Sequence, residues 1–125
     1  MLDERSVQKL DGVHADLVRV VNRAAEARDI LFVVTEGLRT IKGQRELIAA
    51  GASTTLRSRH LTGHAVDLAV KVGDEIRWDW PLYAELAEAV KRAARQEGVS
   101  IEWGGDWRSF RDGPHFQLPW SAYPI

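Results

Sequence analysis

A carboxylate interrupts the most strand-like apolar run of the chain. Residues 65–72, Ala65-Val66-Asp67-Leu68-Ala69-Val70-Lys71-Val72, read as a buried strand, and Asp67 stands third in it. An unpaired charge in such a place is costly, so the fold must bring a cation, a partner or a hydrogen-bond network to Asp67. Two partners stand equally open on this segment alone. One is an arginine, such as Arg39, Arg57 or Arg59; the other is a metal ion held together with further ligands.

Composition narrows the second choice. The chain has 125 residues and no cysteine, so disulfides, thiolate catalysis and thiolate zinc sites are excluded and any metal falls to His, Asp or Glu. With 45% hydrophobic residues it reads as a single domain over residues 1–125, with no linker or repeat. Such a domain buries roughly two-thirds of its unfolded surface, enough for a core without staples. Seventeen Lys and Arg against 18 Asp and Glu leave a net charge of −1, which argues against a protein built to neutralise nucleic-acid phosphates. No apolar run approaches the ~20 residues that span a bilayer. The opening MLDERSVQKL is charged where a secretion signal would be apolar. The expectation is a cytoplasmically made protein, monomeric, that reaches any target outside the membrane only after release.

Periodicity places the elements. Residues 3–28 read as helix interrupted near Asp11-Gly12, with Leu10, Val13, Leu17, Val20, Val21 and Ala24 on one face. Residues 30–34 read as a strand and 41–50 as a helix closed by Gly51. A polar Ser/Thr/Arg-rich loop covers 52–62. Strand 65–72 then turns through Gly73-Asp74 into 75–78 as a hairpin. Pro81 opens a helix that runs to about Gln96, with Gly98 past its end. Residues 99–103 and 115–118 supply two short strands around a turn-rich stretch, 104–114. This order predicts an α+β domain, helices packed on a small, mostly antiparallel sheet.

Four histidines are available. His14 has no acidic or His partner at a useful spacing and reads as a surface or packing residue. His60 and His64 are four apart, but the zincin pattern fails, because no Glu follows the first His and Gly63 precedes the second. His60 pairs better with Asp67. Seven is an odd separation, however, and an unbroken strand would point the two to opposite faces and spread them over about 23 Å. They share a metal only if the chain bends, and Gly63 is the residue best able to permit that. In the last strand Phe116 and Leu118 would face the core while His115 and Gln117 share the other face. His115 is then a candidate third ligand, and Asp112, in the turn Asp112-Gly113-Pro114, a carboxylate near the metal that does not bind it. Two His, one Asp, an open position and a free acid make the inventory of a catalytic zinc site.

These residues also carry a resemblance. Ser58-Arg59-His60-Leu61-Thr62-Gly63-His64-Ala65-Val66-Asp67 fits S-x-H-x-x-G-x-A-x-D, and Asp112-Gly113-Pro114-His115 fits an acid-x-x-His pattern downstream. The pair resembles the zinc D-alanyl-D-alanine carboxypeptidase and dipeptidase superfamily, whose fold is of the Hedgehog type. With Glu36-Gly37-Leu38-Arg39-Thr40, Gln44, WGGDW and DGPHF added, residues 5–118 resemble more narrowly the L-alanyl-D-glutamate endopeptidases of bacteriophages, endolysins that cut the peptidoglycan stem peptide.

The resemblance implies one zinc ion on His60, Asp67 and His115, Asp112 as general acid and base, and Arg39 as the arginine that supports substrate or the developing oxyanion. Ser58 and Gln44 would assist at the substrate site. Many carboxypeptidase and dipeptidase members carry Glu where this chain has Asp112, and the shorter acid agrees with the phage branch. Trp103, Asp106 and Trp107 are further candidates for contact with the wall, although aromatic bulk is more commonly used in packing. The loop Arg57-Ser58-Arg59 would either attract the anionic wall or simply be solvated. Two other functions use the same residues: a D,D-carboxypeptidase or dipeptidase, and a non-catalytic peptidoglycan-binding module with structural zinc. No nucleic acid or membrane enters any of the three.

Overall fold

The run 65–72 is indeed a strand, and it forms the middle of the sheet. The computed structural model describes residues 2–51 and 57–124, so residues 52–56 of the expected polar loop lie outside the described residues. Along the chain the helices are α1 (Glu4–Lys9), α2 (Ala15–Ala27), α3 (Ile41–Ala49) and α4 (Trp80–Glu97). The strands are β1 (Phe32–Glu36), β2 (Ala65–Val72), β3 (Glu75–Arg77), β4 (Glu102–Trp103) and β5 (His115–Gln117). The sheet order is β1-β2-β5-β4, with β3 also on β2, and each of these pairings is antiparallel. The α+β expectation holds.

Pleating divides β2 into two faces. Val66, Leu68 and Val70 point with Phe116 and Leu118 into the core against α2 and α4, which contribute Leu17, Val20, Val21, Leu86 and Val90. Each such fully buried aliphatic side chain contributes about 1.5–3 kcal/mol. The opposite face of β2 carries the small Ala65 and Ala69 on either side of Asp67, all but the aspartate fully buried. Register sets Asp67 opposite His115 of β5 and opposite Glu36 at the end of β1, where an irregularity after Val34 breaks the ladder. Strand alternation thus makes one face core and the other face the floor of a cleft. Tyr83 of α4 fastens this arrangement, accepting from the backbone N–H of Val70 at 3.0 Å and donating to the carbonyl of Arg77 at 2.7 Å.

The interruption expected near Asp11-Gly12 is present and separates α1, capped by Asp3 on the N–H of Ser6, from α2, capped by His14 on the N–H of Asp16. Other boundaries differ from the sequence reading. β1 begins two residues late because its partners on β2 start at Val70 opposite Phe32. Only Glu102 and Trp103 of the expected strand 99–103 find a partner, on β5. Residues 59–62, expected as loop, form a 3-10 turn, and so do 104–106.

Candidate metal centre and active site

The 3-10 turn Arg59–Thr62 is what delivers His60. Ser58 caps it, its Oγ accepting from the His60 N–H at 3.2 Å, and Gly63 ends it with φ +76°. A side chain at Gly63 would overlap the carbonyl oxygen of Gly12, and the next peptide is pinned there, with Gly63 O accepting from His14 N at 2.8 Å. The chain therefore reverses between His60 and Asp67, and the odd spacing no longer separates them.

His60 Nε2 lies 3.2 Å from Asp67 Oδ1, and His115 Nδ1 lies 3.3 Å from the same oxygen. One ligand atom from each of the three residues falls within 4.8 Å of the others. Both rings are buried, and their outer nitrogens face oxygens: His60 Nδ1 donates to the carbonyl of Gly37 at 2.7 Å, and His115 Nε2 sits 2.7 Å from Gln117 Oε1. With the ring protons engaged outward, two nitrogen lone pairs and a carboxylate point at one place. Three acceptors facing each other need a cation. Their spacing suits one, since two ligands of a tetrahedral ion at ~2.0 Å bonds stand about 3.3 Å apart. The residues fit a metal of the zinc kind, whose ligating histidines ordinarily donate outward to an oxygen.

When no ion is bound, a proton takes its place among these groups. Burial alone would raise the Asp67 carboxyl, but proton sharing with His115 and His60 holds it well below the usual carboxylate range. Burial works against charge on His115, yet a proton shared with Asp67 raises that imidazole above its ordinary value. Asp112 is shifted the other way, pushed up first by burial and then by the charge of Asp67. It lines the same cleft without belonging to the three-residue group. Gly104 lets it approach, because a Cβ at that position would stand 2.5 Å from the Asp112 carbonyl oxygen and 3.1 Å from the Cβ of both Asp112 and His115.

The arginine alternative for Asp67 is answered by where the arginines go. Arg39 is gripped by both oxygens of Glu36, one at 2.8 Å, and by Gln44 Oε1 at 2.6 Å, with its charge within reach of both Asp67 and Asp112. Arg59 is buried: it donates to the carbonyls of Leu118 and Tyr123 and lies over the Trp120 ring, 4.1 Å from the centroid. It is neither a wall attractant nor a solvated loop residue. Arg57 also lies over Trp120, at 5.2 Å.

A cleft of about 650 Å³ opens over this floor, and Arg39, Ser58, Trp107 and Asp112 are among the residues along it. Gln44 is fully buried behind Arg39. Two expected substrate residues stand elsewhere. Trp103 is 7% exposed, donates its indole N–H to Gly113 O and packs on Trp80, so it belongs to the core. Asp106 points outward and pairs with Lys91 at 2.8 Å. His64 takes no part in the metal group and bonds Thr62 Oγ1 instead. Sequence reasoning missed Glu36 as the holder of Arg39 and Glu102 on the cleft wall. The i,i+3 spacing from Glu36 to Arg39 was the available signal for the first.

A family model described as phage L-alanyl-D-glutamate peptidase matches residues 1–118. The chain belongs to this family. It is 52% identical to the Serratia marcescens L-Ala D-Glu endopeptidase ChiX, whose crystal structure superposes with a TM-score of 0.92 over 98% of this chain and 92% of that one. The L-alanyl-D-glutamate peptidase of Listeria phage A118 is 35% identical over 99 residues, 79% of this chain and 34% of that protein. The chain thus spans about a third of the length of that relative. The vancomycin-resistance D,D-dipeptidase VanXYg shares the fold, with a TM-score of 0.54 at 23% identity over 85% of this chain and 50% of that one. The expected fold type is therefore present.

Proposed function

We propose that this chain is a zinc endopeptidase that hydrolyses the L-alanyl-D-glutamate bond of peptidoglycan stem peptides; its relatives are named as peptidases of that bond. The observation that carries the reading is the placement of Asp112. Three residues converge as ligands, and the carboxylate of Asp112 stands in the same cleft outside their group. A structural zinc site closes its fourth position with a protein ligand, whereas a catalytic one leaves it open and has work for a free acid beside it.

His60, Asp67 and His115 would hold the ion, which supplies Lewis acidity toward water and a scissile carbonyl. Asp112 receives the proton of the attacking water and passes it to the leaving amine, and its raised affinity for a proton suits both transfers. Arg39 keeps a fixed positive charge on the cleft wall, aimed by Glu36 and Gln44, and offsets charge that develops on the carbonyl oxygen. Ser58 holds the backbone at His60, and Trp107 offers an apolar wall to the peptide. No described helix is long and apolar enough to cross a membrane.

The test is Asp112→Ala, assayed for bound zinc and for lysis of purified walls. Retained zinc with lysis lowered about 100-fold or more supports the role. Undiminished lysis removes it.

A further inference from the structure

Beyond the ligands lies a chain of polar side chains that the hydrolytic mechanism does not use. Gln117 is 5% exposed and follows His115 by two residues on the same face of β5. Its Nε2 donates to Glu102 Oε2 at 3.2 Å, and its Oε1 lies 2.7 Å from His115 Nε2. The same oxygen of Glu102 accepts the indole N–H of Trp107 at 2.9 Å. Strand pairing builds this row, since Glu102 of β4 is directly opposite Gln117 of β5.

The direction of the row follows from its far end. A carboxylate only accepts, so the amide group of Gln117 must turn its NH₂ toward Glu102. That leaves the amide oxygen facing His115, and an oxygen there requires the ring proton on Nε2. The remaining nitrogen, Nδ1, is then the one with a lone pair, and it is the nitrogen that faces Asp67 at 3.3 Å. Trp107 adds a second donor to the anchoring oxygen, and its ring lies 5.0 Å from that of His115. The opposite ligand needs no such device, because His60 Nδ1 meets the carbonyl of Gly37, which is an acceptor in any state.

We infer that Glu102 and Gln117 are positioning residues of the metal centre: Glu102 fixes the orientation of the Gln117 amide, and the amide fixes the His115 tautomer that offers Nδ1 to zinc. Glu102 acts only through Gln117. Without the carboxylate the amide is free to turn over, present NH₂ to His115, and favour the tautomer with its lone pair on Nε2, away from Asp67. The inference rests on the zinc reading proposed above.

The experiment measures zinc affinity by competition with a chromogenic chelator for the wild type, Gln117→Met, Glu102→Leu and the double variant. Nitrogen NMR of the zinc-loaded proteins follows the His115 ring. The wild type is expected to show a slowly exchanging Nε2–H and zinc on Nδ1. Gln117→Met and Glu102→Leu should each weaken zinc binding about 10–100-fold, as loss of partners behind metal ligands generally does. The double variant should bind no more weakly than Gln117→Met, because the two residues act in series. Affinity within twofold of wild type in Gln117→Met, or losses that multiply in the double variant, would overturn the inference. A wild type that binds no zinc would instead overturn the zinc reading. Should the buried substitutions fail to fold, Trp107→Phe removes one donor to Glu102 and keeps the ring. It should speed exchange of the His115 Nε2–H, and an unchanged rate contradicts the row.

Discussion

His60 Nε2 and Asp67 Oδ1 are 3.2 Å apart, although they stand seven positions apart in the chain and an extended segment would put them on opposite faces. The contact exists because the chain turns at Gly63, in the left-handed region and against the Gly12 carbonyl. Gly63→Ala combines a left-handed penalty of about 1–2 kcal/mol with that backbone overlap. The variant should lose more than about 2 kcal/mol in urea unfolding and bind zinc weakly; wild-type values for both would show that the turn is not what joins the pair.

Gly104 plays a comparable part for the free acid. Alanine there would push on Asp112 and His115 together, with contacts of 2.5 and 3.1 Å that those residues must relieve. Gly104→Ala is expected to keep the fold, as judged by circular dichroism, and to lower kcat for peptide cleavage about tenfold or more, since small displacements at a reacting centre are costly. An unchanged kcat would mean that Asp112 tolerates a looser placement than the cleft shows.

Arg39 is held by a planar pairing with Glu36 and by Gln44. Lysine cannot reproduce that fork. Arg39→Lys should therefore lower kcat/KM by about tenfold or more while zinc content stays at the wild-type level. Equal activity would show that charge alone suffices at this wall.

Metal removal tests the three acceptors directly. Zinc-free protein should be less stable, and saturating zinc at about 1,000 times Kd should add roughly 4 kcal/mol. That corresponds to a Tm rise on the order of 10 °C by calorimetry. His60→Ala should abolish the rise, and a zinc-independent Tm would argue against the centre.

Much of this was legible in the residues themselves. Asp67 announced the site by standing in an apolar strand, and the core face of α2 followed from side-chain spacing alone. The expected opposition of Phe116 and Leu118 to His115 and Gln117 is present, because strand alternation is a local rule. What the sequence hid was non-local. The shortening of 99–103 to two residues depends on where β5 runs. Arg59 reads as a solvated loop residue until the C-terminal segment folds back, with Trp120 over it and the carbonyls of Leu118 and Tyr123 beside it. Trp103 and Trp107 look equivalent in WGGDW, yet one donates to Gly113 in the core and the other to Glu102 on the cleft.

Mass spectrometry of muropeptides, released from purified walls by the protein loaded with one zinc per chain, tests the central claim most directly. The account predicts cleavage between L-alanine and D-glutamate, seen as fragments with a new amino-terminal glutamate. Release of free D-alanine instead, or stem peptides left intact by protein that holds its zinc, would contradict it.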